Sequence, residues 1–358
     1  MEPDLASLCV VFLPLPIPLA TFNLMMSIFE TLQRKLINLR QYGQYVIDYN
    51  MPFVVTYFKC LDMERPPPSN AATVPLERND LGFDLVGRDI TFRYPHQQDK
   101  SHKSDKPNAP SIAALNNLSF HFEAGKIHAL VGDNGCGKTT LVQLISQLYT
   151  EYDGHLLVNG HDIKDYNINE IRSHISIMFQ EVVKLNRFTV RENIGIGNHA
   201  TLTDTTDPLI ERTANDHGVT DFISLDTVIG DLFKRNKDPD EKWQAEISGG
   251  QWQKIALART FLTSKEADLI ILDEPTSALD VDAEFQFFQQ LKKTRRDKTT
   301  IFITHKYVTT ATADCIHFMA RGKIVERGTH AELMAAKGEY ARRYNLQTQG
   351  FAESAAEK

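Results

Sequence analysis

The sequence predicts an α/β fold in which buried strands alternate with helices, and three stretches predict it. Lys126-Ile127-His128-Ala129-Leu130-Val131 is a short apolar run of the kind that makes a buried strand, and Leu141, Ile145 and Leu148 recur behind it at helical spacing. Asp268-Leu269-Ile270-Ile271-Leu272-Asp273-Glu274 is a second apolar run that ends on two carboxylates. Thr299 to Thr304 repeats that design before His305. Parallel strands covered on both faces read as near-continuous apolar runs of this sort.

With 358 residues there is room for two ordinary domains, or for one large domain with an appendage. Apolar residues make up 42% and charged residues 24%, normal for a globular protein with a sizeable core. The net charge of −7 argues against a chain-wide electrostatic footprint for nucleic acid, so no nucleic-acid partner is expected. The cysteines, Cys9, Cys60, Cys136 and Cys315, are scattered and form no C-x-x-C pair. A reducing compartment without a disulfide framework follows.

Residues 8–29 carry no charged side chain, a length that would suit a membrane span. Pro14, Pro16 and Pro18 alternate within it, and proline is excluded from a helix interior. A helix is therefore expected to begin near Leu19, which leaves too few apolar residues before Glu30 to cross a bilayer alone. Glu2 and Asp4, with no Lys or Arg beside them, argue against a secretory signal. From Thr31 the pattern turns amphipathic: Leu32, Leu36, Leu39 and Val46 share one face, while Arg34, Lys35, Arg40 and Asp48 lie elsewhere. A long helix to about Leu61 is predicted, either packed on the protein's own body or continuing out of a membrane bundle. Pro66-Pro67-Pro68 cannot continue a helix and favours an extended linker. The division predicted is an N-terminal helical segment over 1–64, a linker over 65–82, and a body beyond.

The body opens with a strand over Val86–Tyr94, and a polar, turn-rich loop over 96–112 follows. Strands over Leu118–Phe122 and Lys126–Gly132 flank the turn Glu123-Ala124-Gly125. Next comes Gly132-Asp133-Asn134-Gly135-Cys136-Gly137-Lys138-Thr139-Thr140, which fits the phosphate-binding pattern G-x-x-x-x-G-K-[ST]. Its glycines let backbone N–H groups turn inward, and the helix behind points its positive end at the same place. Lys138 would reach outer phosphates, and Thr139 would offer its hydroxyl to Mg²⁺. Cys136, in an amide-lined loop near a helix start, reads either as a thiol of lowered pKa or as an inert space-filler. Short strands are predicted over His155–Val158 and Ile175–Phe179, the latter ending at Gln180.

Residues 189–246 change character, with many charges and short helical patterns, and read as an inserted helical subdomain. Ser248 is a good N-cap, and Gly249, Gly250 and Gln251 open a helix through Ile255, Leu257 and Ala258, a second anion-receptive helix start. At the end of the next strand Asp273 and Glu274 can divide labour, one holding a cation and the other polarising water. A histidine at a strand's C-terminal edge, His305, could donate to a terminal phosphate. A hairpin around Arg321-Gly322, helices over about 329–345 and a polar tail over 347–358 complete the chain.

In this order and spacing, the motifs over 83–346 resemble the nucleotide-binding domain of an ATP-binding cassette (ABC) transporter. The resemblance implies a P-loop NTPase: a RecA-like core, an antiparallel β subdomain, and a helical subdomain over about 182–262. It implies ATP and Mg²⁺ as ligands. Tyr94 matches the aromatic that stacks on adenine, and Gly132 to Thr140 match the phosphate loop. Gln180 matches the glutamine that touches Mg²⁺ and the attacking water. Ser248-Gly249-Gly250-Gln251 match the signature motif, with Ile247 in place of the commoner leucine. Asp273 and Glu274 match the Mg²⁺-associated aspartate and the catalytic base. Asp280 falls in the loop that communicates across the dimer, and His305 matches the switch histidine. The family's mechanism implies a homodimer or heterodimer in which each signature motif caps ATP held by the partner.

Residues 19–63 resemble, more loosely, the last transmembrane helix and cytoplasmic extension of an exporter-type half-transporter. The implied setting is a membrane-associated ATPase that faces the cytosol and works with a transmembrane domain. Such exporters carry a bundle of membrane helices where this chain offers one candidate at most. ATP hydrolysis is therefore expected of the chain, and transport by the chain alone is not. A soluble cassette ATPase acting mechanically on another macromolecule, or a truncated ATPase that does not transport, are the competing readings.

Overall fold

A computed structural model of the chain describes residues 74–95, 113–198, 201, 207–230, 244–245, 247–263, 267–277, 279, 281–294 and 298–356, together with 29, 31–33 and 35. The chain divides into two compact units, Met1–Pro68 and Ser69–Lys358. In the first unit the described residues, Phe29, Thr31, Leu32, Gln33 and Lys35, are helical and exposed. The expected helix start at Leu19, the proline linker, the loop over 96–112 and Asp280 lie outside the described residues. No described helix is long and apolar enough to cross a membrane.

The second unit is built on strands β1 (Leu85–Phe92), β2 (Leu115–Phe122), β3 (Ile127–Gly132), β4 (Asp153–Val158), β5 (His161–Asp162), β6 (Ile175–Met178), β7 (Phe188–Thr189), β8 (Val228–Ile229), β9 (Gln244–Ala245), β10 (Leu269–Asp273), β11 (Thr299–Ile303), β12 (Cys315–Ala320) and β13 (Lys323–Gly328). The main sheet has the order β13-β12-β3-β11-β10-β6. Strands β12, β3, β11, β10 and β6 run parallel, and β13 closes the edge antiparallel. Strands β3, β10 and β11 are buried at every position, which accounts for their unbroken apolar sequences.

Alternation within these strands feeds two cores. Leu130, Ile271 and Ile303 face one side, where they join Phe83, Leu85, Phe122 and Leu144 beneath the antiparallel sheet β2-β1-β4-β5. Ala129, Val131, Ile270, Leu272 and Phe302 face the other side and meet Phe287, Phe288 and Leu291 of the helix Val281–Thr294. A third core of Val190, Ile194, Ile210, Trp252, Ile255 and Leu262 holds a separate lobe. That lobe combines the helices Val190–Gly195, Pro208–Asp216 and Gly249–Leu262 with the small sheet β7-β8-β9. The sequence predicted its helices; its two-residue strands are too short to leave a periodic signal.

Three expectations need correction. The first strand ends at Phe92, two residues before Tyr94, because its register partner Leu115 begins β2. The segment 74–82, expected as linker, lies against the body: Val74 N–H donates to Asp165 O at 3.0 Å, and Arg78 pairs with Asp268 at 2.9 Å. The polar tail is helical, since the helix Glu339–Ala356 continues past residue 347. Its buried anchors Tyr340 and Ala341 lie in the first turn, and polar residues continue the helix along the surface.

Asp268 joins Arg78, His174 and Lys298 to the start of β10. It is fully buried and lies 2.9 Å from Arg78 Nε, 3.2 Å from His174 Nδ1 and 2.7 Å from Lys298 Nζ. Burial pushes its carboxyl pKa up, yet the hydrogen bonds and charges of Arg78 and Lys298 outweigh burial and hold it below the usual range. Asp268 is the buried member, whereas Arg78, His174 and Lys298 keep access to water, so its removal costs the charged hydrogen bonds rather than stranding its partners. Asp268→Ala is expected to lower unfolding stability by about 2 kcal/mol in urea titration. A change near zero would show that the cluster contributes nothing net.

Candidate functional site

At the C-terminal edge of the main sheet, β3, β6, β10 and β11 each release a loop. Those loops carry Gly132–Lys138, Gln180, Asp273–Glu274 and His305. In open parallel sheets this edge is where ligands lie. Here it forms a cleft of about 600 Å³ lined by Tyr94, Ala114, Asn134, Gly135, Gly137, Lys138, Thr139, Thr140, Gln180, Asp273, Glu274 and His305. That volume suits a small organic ligand.

The loop's shape rests on two glycines. Gly132 has φ +150°, and a Cβ there would lie 2.1 Å from Met319 O. Gly137 has φ +109°, and a Cβ there would lie 2.7 Å from Ala114 O. Only a residue without a side chain fits either position. Gly137 is the N-cap of the helix Lys138–Ile145, so the helix's free N–H groups face the cleft. Lys138 is 9% exposed, and its ammonium donates to Gly132 O at 2.8 Å and Asp133 O at 3.0 Å. The two threonines divide: Thr140 is buried with its hydroxyl 2.8 Å from Tyr94 OH, while Thr139 is exposed to the cleft. Tyr94 OH also donates to Gln143 Oε1 at 2.9 Å, and Phe92 and Tyr149 meet its ring edge-to-face. This leaves Tyr94 42% exposed, with its ring held in place.

Opposite the loop stands the carboxylate pair. Asp273 is 2% exposed, and its Oδ2 has no hydrogen-bond partner. Burial, reinforced by the charge of Glu274 and opposed by Lys138, pushes its pKa up to about 6. Glu274 has φ +53°, a backbone position a glutamate seldom takes. Its N–H donates to Ile303 O at 3.0 Å, and its carbonyl accepts from Gln253 Nε2 at 2.9 Å. So held, its carboxylate lies between Gln180, which donates from Nε2 at 3.2 Å, and His305 Nδ1 at 3.1 Å. A carboxylate oriented on both oxygens, lining the same cleft as Lys138, is arranged to accept a proton next to an anion. The orphaned Asp273 Oδ2, the Thr139 hydroxyl and the Gln180 amide form an oxygen-rich set of the sort divalent Mg²⁺ takes. An uncompensated buried carboxylate oxygen is what such a cation would relieve.

Not every predicted residue lines the cleft. Ser248 and Gln251 form a reciprocal capping box, Gln251 N–H to Ser248 Oγ at 3.3 Å and Ser248 N–H to Gln251 Oε1 at 2.7 Å. With Gly249 and Gly250 they open the helix Gly249–Leu262 away from the cleft lining. Asp133 turns out to Arg343 instead.

Three site-shaping residues have no motif to announce them. Gln253 holds the Glu274 carbonyl. Arg343 reaches Asp133 Oδ2 at 2.7 Å from the C-terminal helix. One turn on, Gln347 accepts from Tyr307 N–H at 2.6 Å and donates to His305 O at 3.2 Å. The i, i+4 spacing of Arg343 and Gln347 on a helix anchored by Tyr340 and Tyr344 is the only sequence signal those two leave.

Comparison with known families matches residues 115–277 to the family described as ABC transporter. Among curated proteins, an "ATP-dependent lipid A-core flippase" of Aromatoleum aromaticum is 37% identical over 277 residues, covering 76% of this chain and 41% of the relative. The flippase of the same name from Yersinia pestis is 35% identical over 297 residues, covering 82% and 45%. "Multidrug resistance protein 4" of Entamoeba histolytica is 39% identical over 280 residues, covering 76% and 19%. The chain thus spans less than half the length of these relatives. Among solved structures, a bacterial Atm1-family ABC exporter with ATP bound superposes with a TM-score of 0.65 at 25% identity, covering 90% of this chain and half of the other.

Of the two readings of Cys136, the buried thiol supports the inert space-filler and not the lowered pKa. Burial raises its thiol pKa, and the nearby Lys138 ammonium, 3.8 Å from Sγ, only partly offsets the rise. The residue is 5% exposed and its thiol lies beside Gly132; the Lys138 backbone hydrogen bond lowers the pKa as expected of a loop amide, but burial outweighs it. A higher pKa leaves less thiolate at neutral pH. Iodoacetamide is therefore expected to label Cys136 more slowly at pH 7.5 than it labels a free cysteine, with the rate rising towards alkaline pH. Labelling faster than the free thiol, read by mass spectrometry of the loop peptide, would contradict this.

Proposed function

Residues 115–277 belong to the ABC transporter family, and from that premise we propose that this chain binds and hydrolyses ATP as the motor part of an exporter. The observation that carries the reading is the meeting at one sheet edge of the phosphate loop with a Glu274 carboxylate oriented by Gln180 and His305. In this reading the exposed ring of Tyr94 stacks on the adenine. The loop amides and Lys138 take the phosphates, exchanging Lys138's internal carbonyl partners for phosphate oxygens. Glu274 accepts the proton of the attacking water, Gln180 orients that water, and His305 fixes Glu274 and faces the terminal phosphate. Phosphoryl transfer to water depends on such placement and charge neutralisation more than on covalent chemistry. Mg²⁺, held by Thr139, Gln180 and Asp273, would supply further charge neutralisation.

The signature residues Ser248, Gly249, Gly250 and Gln251 stand outside this chain's own cleft, which suits them to cap ATP held by a second chain, with Asp280 beside that contact. The active unit is then a dimer, homomeric or heteromeric. Residues 1–64 are read as the end of a membrane-domain helix and 83–346 as the ATPase, with 74–82 packed against it. A transmembrane domain would complete the exporter and place the ATPase at the membrane's cytosolic face.

Glu274→Gln is expected to retain ATP binding and to lose turnover by about 100-fold or more. Unchanged steady-state phosphate release would remove Glu274 from its role. Lys138→Ala is expected to weaken ATP binding itself, and unaltered affinity in a fluorescent-nucleotide titration would contradict the phosphate-loop reading. Gln347→Ala, which frees the His305 backbone, is expected to slow turnover about tenfold with ATP affinity kept. Loss of affinity without loss of rate would place Gln347 elsewhere in the cycle.

A further inference from the structure

At the other end of β3, away from the cleft, His128 pairs in register with Cys315 at the start of β12. His317 follows two residues on, so the strand period places all three side chains on one face. One donor atom from each residue lies within 4.8 Å of the others, and all three residues are buried. Phe122 covers the group, with its ring 5.2 Å from the His128 ring and 4.6 Å from the His317 ring.

The hydrogen bonds around the two imidazoles do not close. Glu123 O can only accept, so His128 Nε2, 3.0 Å away, carries the proton. His128 Nδ1 is then a lone pair facing His317 Nε2 at 3.2 Å. If His317 donates from Nε2, its own Nδ1 is left as a buried acceptor without a donor, and that atom indeed has no partner. If His317 carries its proton on Nδ1, two lone pairs face each other. A cation taking both lone pairs removes the clash of the second arrangement and leaves the His317 Nδ1–H as its one unpartnered group. The backbone bond at His128 Nε2 is then the outer-sphere contact that orients a metal-ligating histidine.

The donor set selects the ion. Two imidazoles and a thiolate make three ligands, and the described residues add no fourth His, Cys, Asp or Glu to the group. Structural Zn²⁺ is almost always held by four protein ligands. Thiolate and imidazole suit Cu(I). A monovalent ion also forms a neutral unit with one thiolate, whereas a divalent ion would leave a net charge in a dry site. The nitrogen separation of 3.2 Å lies close to the roughly 3.3–3.5 Å between two nitrogens that each sit about 2.0 Å from one ion. We propose that His128, Cys315 and His317 form a three-coordinate site for Cu(I), independent of the ATP cleft.

The test is an anaerobic titration of the reduced full-length chain with Cu(I) against a competing chelator, followed by copper K-edge absorption of the loaded protein. The expected result is one tight equivalent with one sulfur and two nitrogen neighbours, and affinity lowered at least tenfold in Cys315→Ser. Absence of a tight equivalent, uptake unchanged in Cys315→Ser, or a shell of two sulfurs would overturn the proposal. Should Cys315→Ser fail to fold by circular dichroism, the absorption spectrum of the parent decides alone.

Discussion

Burial of β3, β10 and β11 on both faces sets where every charged group of the cleft stands. Strands packed from both sides cannot slide by one residue without turning their core side chains towards the wrong layer. Their ends are therefore level, and the first polar residues after each strand emerge together. Gly132, Asp273 and Thr304 leave the sheet at neighbouring positions because β10 pairs with β11, and β11 with β3, in parallel register. The crevice is a consequence of this packing, and the loops only line it.

Within that crevice the electrostatics are divided between two adjacent carboxyls with different surroundings. Asp273 is buried with an orphan oxygen, so its charge is costly until a cation or a proton arrives. Glu274 escapes the same cost by adopting a positive φ that turns it out of the strand towards Gln180 and His305. Asp268, at the other end of β10, shows the contrasting solution: deeper burial, but with Arg78, His174 and Lys298 in direct contact. The strand thus carries one fully compensated acid at its start and one uncompensated acid at its end.

The C-terminal helix adds a second layer of control. Through Arg343 it holds the exposed side of the phosphate loop, and through Gln347 it clips the backbone on both sides of Lys306. A polar side chain that accepts from one residue's N–H and donates to another's carbonyl fixes a loop more firmly than a single contact would. His305, half exposed at its side chain, owes its steady backbone to this clip.

Much of the site was legible because its chemistry is local. The phosphate loop, the N-cap at Ser248 and the carboxylates at the end of β10 each declare themselves within a few residues, through glycine freedom, N-cap preference and apolar runs that stop abruptly. Order and spacing of those pieces sufficed for the family. What stayed hidden depends on partners distant in sequence: His128 meets His317 across 189 residues, and Arg343 meets Asp133 across 210. Cys136 stayed open between its two readings for the same reason, since its thiol pKa is set by how deeply Met319 and the sheet enclose it rather than by its place in the loop. The sequence by itself determined the long buried strands, the glycine turn after β3 and the helix start at Ser248, because those choices are made by neighbouring residues. Tertiary structure alone decided desolvation, pairing and side-chain reach, because a charge responds to whatever the fold brings within a few ångströms of it.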